Sequence, residues 1–173
     1  MELTTAISLI QNKDILQQHP VQWADLGCGS GLFTRALAHY FKKDSTVYSV
    51  DTAVNIKDTI TGNNVTIKAV RADFVNDVLP FQLLDGVLMA NSFHYVLNKP
   101  AFIEKIKDHL HPDGVYLIVE YDTDNPVKKW VPYPVSFRAL TILFKEAGYN
   151  TIKRLRNQPS AFGGDMYAAI IKR

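Results

Sequence analysis

The stretch Asp25-Leu26-Gly27-Cys28-Gly29-Ser30-Gly31 decides how this chain reads. It ends a short apolar run, Val21–Leu26, with the pattern of a buried strand. After it come residues at helical spacing: Phe33, Leu37 and Phe41 lie four apart, and Leu32, Ala36 and Tyr40 widen the stripe. Arg35, His39 and Lys42 fall on the polar side. A strand that runs into alternating glycines and then a helix brings main chain close to a ligand, because glycine turns sharply without a Cβ. In an open α/β sheet, ligands sit in the crevice beyond the carboxyl end of such a strand, beside the unpaired N–H groups of the helix start.

The spacing narrows the ligand. A dinucleotide fingerprint, Gly-x-Gly-x-x-Gly, needs its third glycine where Leu32 stands. No Gly-Lys-Ser/Thr follows the loop, which excludes a phosphate-binding P-loop. Asp25, just ahead of the glycines, would repel a pyrophosphate and suits a cationic ligand, an ammonium or a sulfonium.

Working outward, strand and helix patterns alternate. Strands are expected at Val47–Asp51, Val65–Asp73, Asp85–Asn91 and Val115–Tyr121. A helix is expected over Pro100–Leu110, with Phe102, Ile106 and Leu110 on one face and His111-Pro112-Asp113-Gly114 stopping it. Ser136 caps a second one carrying Phe137, Leu140, Phe144 and Ala147, and Gly148 ends it. Two strand-like runs close the chain, Tyr149–Leu155 and Met166–Lys172. The segment between them, Arg156–Asp165, has no helical pattern and is too short for a parallel crossover, so the pair reads as an antiparallel hairpin. The expected fold is α/β: a doubly wound, mostly parallel, seven-stranded Rossmann-like sheet with one antiparallel strand near the edge. Ahead of the first strand, Leu3, Ile7 and Ile10 have helical spacing, which suits either a lid over the site or a helix packed on the sheet.

Composition fits one domain spanning residues 1–173. It divides into an N-terminal helical segment (1–20), a cofactor-binding half (21–122) and a substrate-side half with the hairpin (123–173). Apolar residues make up 47% and charged ones 21%, a globular profile. The net charge of +2 is too small to call for a polyanionic partner, so nucleic acid is not an expected one. From Tyr121 onward nine Lys/Arg face four acids, a mild skew that reads as solvated surface. The single cysteine, Cys28, rules out an intrachain disulfide. With no secretory leader and no apolar run of membrane length, the chain is expected in the cytoplasm.

The loop Asp25–Gly31 resembles the first motif of the class I S-adenosylmethionine-dependent methyltransferases, and the likeness extends over about residues 20–172. The resemblance implies S-adenosyl-L-methionine as cofactor, held by Asp25, Gly27, Cys28, Gly29 and Gly31. It implies that Asp51, with Thr52 beside it, accepts hydrogen bonds from both ribose hydroxyls, a task suited to a carboxylate with two acceptor oxygens. Asp73 would accept from the adenine amino group, Phe74 would offer its main-chain N–H to the ring, and Asn91 would lie beside the methionine portion. One departure stands out: the family fits a full helix after Asp51, whereas Thr52–Asn64 has room for two or three turns at most.

Acceptor chemistry is written more faintly. Methyltransferases acting on nucleobase amino groups resemble one another in an Asp/Asn-Pro-Pro-aromatic run, which Asn91-Ser92-Phe93-His94 does not match. Ser92-Phe93-His94-Tyr95-Val96 is more similar to the branch acting on small metabolites, where a His stands at the position of His94. His94 is either a general base, needed when the acceptor is protonated, or a pocket-lining ring. Tyr95, Tyr121 and Tyr133 are further acceptor-side candidates. The segment Tyr121–Pro134 reads as a lid, with Trp130 and Tyr133 lining the acceptor cavity and Lys128 or Lys129 favouring an anionic group; the alternative is a plain surface loop. The five histidines (19, 39, 94, 109, 111) have no ligand-spaced companions, so no metal is expected. The leading expectation is methyl transfer to a small molecule. The alternatives are a non-catalytic binder of S-adenosylmethionine or S-adenosylhomocysteine and, behind it, an RNA or protein methyltransferase.

Overall fold

The computed structural model describes residues 1–53, 55–127, 129–160 and 164–173. Its strands are β1 (Gln22–Leu26), β2 (Thr46–Asp51), β3 (Thr59–Ile60), β4 (Thr66–Arg71), β5 (Leu84–Ala90), β6 (Leu110–Tyr121), β7 (Thr151–Pro159) and β8 (Asp165–Lys172). All belong to one sheet in the order β3-β4-β2-β1-β5-β6-β8-β7. The five central strands, β4, β2, β1, β5 and β6, run parallel. β8 lies antiparallel between β6 and β7, as the short connection requires. The sheet has one more strand than the periodicity shows: two-residue β3 pairs antiparallel with β4. It occupies the short stretch after Asp51, and among the described residues no helix forms there.

Among the described residues four α-helices cover the sheet: α1 (Leu3–Ile10), α2 (Leu32–Ala38), α3 (Lys99–Lys107) and α4 (Phe137–Glu146). Burial follows the strand alternation. Ala24, Leu26, Val87, Met89 and Tyr116 pack with Phe102 of α3 and Phe144 of α4. Trp23, Val47, Leu88, Leu117 and Ile170 pack on the other face with Leu9 of α1 and Leu37 of α2. Burying such side chains contributes roughly 1.5–3 kcal/mol each, so the two layers carry the fold. Ser136 caps α4, its hydroxyl accepting from Ala139 N–H at 3.2 Å, and Gly148 takes the left-handed φ of 86° that ends it.

Two expectations change. The helix expected to reach Leu110 stops at Lys107, and Leu110 already opens β6, so His111–Gly114 lies within a strand rather than after a helix. The lid reading of the N-terminal segment gives way to the packed one. Ala6, Leu9 and Ile10 are buried and the Tyr40 hydroxyl donates to Ile7 O at 2.8 Å, so α1 is bound to α2. No helix among the described residues is long and apolar enough to cross a membrane.

Candidate active site

Because the central strands are parallel, their carboxyl ends bring Gly27, Asp51, Ala72-Asp73, Asn91 and Tyr121 to one edge of the sheet. Gly27, Gly29 and Gly31 all have positive φ (82°, 52° and 75°). A Cβ at Gly27 would collide with the Ser92 side chain just beyond neighbouring β5, whereas a Cβ at Gly29 would meet nothing within 4 Å. The first glycine lets two strand ends close together; the second leaves open space on the cleft side, as a cradle for a ligand requires. The loop's own amides are largely committed. Gly27 and Cys28 N–H donate to Val50 O at 2.8 and 3.0 Å, and Gly31 N–H to Cys28 O at 2.8 Å.

Asp25 lies beneath the loop, 1% exposed, and accepts the Thr34 hydroxyl at 2.6 Å, with Ser49 joining the same buried network. Its other oxygen, Oδ1, has no partner. Burial, with nearby Asp51 adding to it and the Thr34 bond opposing it, pushes its pKa up to about 7. The carboxylate expected to suit a ligand cation is thus buried, one oxygen bonded to Thr34 and the other without a partner. Burial likewise pushes the Cys28 thiol up to about 12, with Asp25 and Asp51 contributing, so it remains a protonated, packed side chain.

Asp51 ends β2 half-buried. One oxygen accepts Gly29 N–H at 2.9 Å and the other accepts Ala53 N–H at 3.0 Å, leaving each with a further lone pair. Thr52 is exposed beside it. Asp73 builds a turn: Oδ1 accepts from the N–H groups of Val75 (2.9 Å) and Asn76 (3.2 Å), and Oδ2 from the Asn76 side-chain amide (2.7 Å). The Asn76 bond is the main reason its carboxyl is held below the usual range. Lys105 of α3 clamps the same turn by donating to the carbonyls of Phe74, Val75 and Asp77 at 3.1, 2.9 and 2.7 Å. The Phe74 ring reaches towards Gly27, so the turn stands next to the glycine loop.

Asn91 has a left-handed φ of 54° and its buried Oδ1 has no partner. Three residues on, His94 sits in a single 3₁₀ turn, Phe93–Tyr95, and is 2% exposed. Its Nδ1 lies 2.8 Å from Oε2 of Glu120, and its main-chain N–H donates to Oε1 at 3.0 Å. Glu120 is 1% exposed and also accepts Tyr121 N–H at 3.2 Å. The carboxylate thus orients the ring, and in the neutral imidazole it makes Nδ1 the donor and Nε2 the acceptor. That Nε2 is buried and unpartnered, and His94 lines a cavity of about 550 Å³.

Asn91, Tyr95, Tyr121, Asp122, Thr123, Val127, Trp130, Val131 and Asp165 line the same cavity. Three of the four aromatic acceptor candidates, Tyr95, Tyr121 and Trp130, thus come together. Tyr133 does not: its main chain does the work, its N–H donating to His94 O at 3.0 Å and its carbonyl accepting from Lys99 Nζ at 2.7 Å. Lys99 is buried, also donates to Val96 O at 2.9 Å, and is pushed down to about 8 by that burial. Tyr121, Val127, Trp130 and Val131 of the segment expected as a lid line the cavity. Of its two lysines, Lys129 is exposed and absent from the lining, and Lys128 lies outside the described residues.

Glu120 is the functional residue that sequence reasoning missed. Its signal was there, one acid inside the otherwise apolar run Val115–Tyr121, where a charge persists only if paired. Asp165 carried no such signal.

Comparison with known proteins agrees with this geometry. The family described as "Methyltransferase domain" matches residues 24–118. The human mitochondrial arginine-hydroxylase NDUFAF5 is 32% identical over 108 residues, 60% of this chain and 29% of that protein, so the chain spans less than a third of its length. Among solved structures, the Burkholderia thailandensis 1,6-didemethyltoxoflavin-N1-methyltransferase, bound to 1,6-didemethyltoxoflavin and S-adenosylhomocysteine, has a TM-score of 0.67 at 18% identity, covering 99% of this chain and 77% of that one. Human N-acetylserotonin methyltransferase in complex with S-adenosylmethionine has a TM-score of 0.68 at 17% identity, covering 98% of this chain and 51% of that one. A glycine loop with room for a ligand, acids ending β2 and following β4, and a family match over more than half the residues converge, and the chain belongs to the methyltransferase-domain family.

Proposed function

We propose that this protein methylates a hydroxyl oxygen of a small-molecule acceptor, with His94 as general base and Glu120 as the residue that orients it. One observation carries the reading: His94, a residue lining the cavity, has Nδ1 tied to a buried carboxylate at 2.8 Å while its Nε2 is buried and without a partner. A base held by a third group and pointed at the acceptor is what proton removal during transfer requires. The cavity's volume of about 550 Å³ suits a small molecule. The Burkholderia neighbour, solved with 1,6-didemethyltoxoflavin bound, supports the same size class.

S-adenosylmethionine, when bound, supplies a methyl group made electrophilic by its sulfonium. The chain's own residues hold and align. The Gly27–Gly31 loop shapes the cradle, the free lone pairs of Asp51 take the ribose hydroxyls, and the Asp73–Phe74 turn takes the adenine. Asn91 Oδ1, buried and unpartnered, offers an acceptor to the methionine portion. Alignment of this kind supplies roughly 7–11 kcal/mol of barrier reduction in favourable cases. The reading assigns the reaction to the cytoplasm, in keeping with a lone, unbridged cysteine; fractionation of the tagged protein checks that.

The test is labelled-methyl transfer to a library of hydroxy compounds, followed by His94→Gln and Glu120→Gln on whichever compound is methylated. Turnover should fall by about 10²–10⁴-fold in the first variant and by less in the second. Unchanged turnover in His94→Gln would sink the general-base assignment.

A further inference from the structure

Aromatic rings crowd the acceptor side of His94. The Tyr95 ring centroid lies 4.4 Å from that of His94, and the Tyr121 centroid 6.0 Å. Trp130 lines the same cavity yet is 71% exposed, and Tyr95 is half exposed. The indole does not merely trail into solvent. A tight turn presents it, with Val127 N–H donating to Val131 O at 3.1 Å, Val131 N–H to Val127 O at 2.9 Å and Trp130 N–H to Val127 O at 3.1 Å. Ordering large aromatic surfaces against water is unfavourable, and a flat apolar ligand lying on them removes that cost.

The cavity's acids are not equivalent. Asp122 is committed, its oxygens accepting from Arg154 and from Phe137 N–H, each at 2.8 Å. Asp165 is exposed at the start of β8 and its carboxylate has no bonded partner among the described residues. Among the described residues no cation pairs with it on the cavity wall.

Resting on the general-base reading above, we infer that the acceptor is a flat aromatic hydroxy compound without an anionic substituent, its ring lying among Tyr95, Tyr121 and Trp130 and its charge filtered by Asp165. The base agrees with the walls. A phenolic hydroxyl, with a pKa of about 10, yields its proton to an imidazole far more readily than an aliphatic one close to water's roughly 15.7. In the transfer, the acceptor O–H bond breaks toward Nε2 and its electron pair stays on oxygen. That oxygen bonds the methyl carbon as the carbon–sulfur bond breaks, its pair returning to sulfur. The sulfonium charge thus disappears and one positive charge ends on the imidazolium beside Glu120.

The experiment uses the full chain saturated with S-adenosylhomocysteine. Quenching of Trp130 fluorescence reports binding, since the other tryptophan, Trp23, is buried. The probes are naphthol, its carboxylated analogue hydroxynaphthoate, and saturated decahydronaphthol. Naphthol should bind about tenfold more tightly than decahydronaphthol and roughly threefold or more above hydroxynaphthoate at low salt. Asp165→Lys should close or reverse the gap between naphthol and hydroxynaphthoate, and Asp165→Asn should move it partway. Equal or better binding of hydroxynaphthoate to the native protein overturns the inference, as does a gap that neither Asp165 variant changes. Equal binding of the saturated probe overturns it too. The two readings separate cleanly in a parallel labelled-methyl assay. Intact binding selectivity with no methyl on any hydroxyl counts against the general base and leaves the acceptor class standing. Preferential methylation of an anionic or non-aromatic hydroxyl keeps the base and removes the class.

Discussion

A carboxylate that finishes a buried strand loses water and must find donors in return. Asp25 finds one, the Thr34 hydroxyl, and its second oxygen finds none. With its pKa raised from 3.8 to about 7, the folded chain holds this proton more tightly than the unfolded chain does. The stability this contributes is full below about pH 4 and is lost as pH rises through 7. Asn in its place keeps an acceptor for Thr34 and carries no charge. Asp25→Asn should therefore gain stability over the native protein at pH 8 and much less at pH 5, by a few kcal/mol at most at about 1.4 kcal/mol per pKa unit. Urea denaturation at the two pH values measures this; identical pH dependence in both proteins would refute the burial account. Sequence spacing found Asp25 and its place before the glycines. It could not find Thr34, nine residues on, whose hydroxyl the folded helix brings to the carboxylate.

Among the elements, the single turn Phe93–Tyr95 and the 121–134 segment depend on each other through main-chain bonds. Lys99, in the first turn of α3, joins them by donating to Val96 O and Tyr133 O. It acts as a positioning residue for the acceptor wall. Lys99→Met should raise the acceptor KM by about an order of magnitude, with smaller effect on kcat, and leave S-adenosylhomocysteine affinity unchanged. Lys99→Arg should recover part of the loss. Since the native amine titrates at about 8, acceptor KM should climb above that pH in the native enzyme and stay flat in Lys99→Met. A matching fall in cofactor affinity would show general loosening instead. Strand and helix periodicity predicted nearly every large element here, because each is patterned within its own contiguous residues. It missed β3, whose two exposed residues have no burial pattern to display, and it ran α3 too far, because Leu110 buries equally well as the first residue of β6.

For the whole molecule, a ligand that binds only the folded chain raises its stability by mass action. S-adenosylhomocysteine at about a hundred times its Kd should add about 2.7 kcal/mol, a Tm increase of roughly 5–10 °C for a chain of this size. Asp51→Ala should remove most of that increase, each shift being taken from the variant's own ligand-free Tm, which falls with the lost bonds from Gly29 and Ala53 N–H. A full thermal shift in the variant would remove Asp51 from the cofactor site.

By itself the sequence determined the glycine-loop side of the fold: a glycine loop after the first strand, an acid ending the second, and the alternation that stacks parallel strands. Those features lie within short contiguous runs, where spacing alone dictates geometry. Only the tertiary structure decided the acceptor half. His94 and Glu120 are 26 residues apart and meet because β5 and β6 are parallel neighbours whose carboxyl ends coincide. Asp165 reaches the same cavity because β8 runs antiparallel beside β6, bringing its first residue to that end. Pairing across a sheet depends on which strands become neighbours, a choice made by the burial of both faces together.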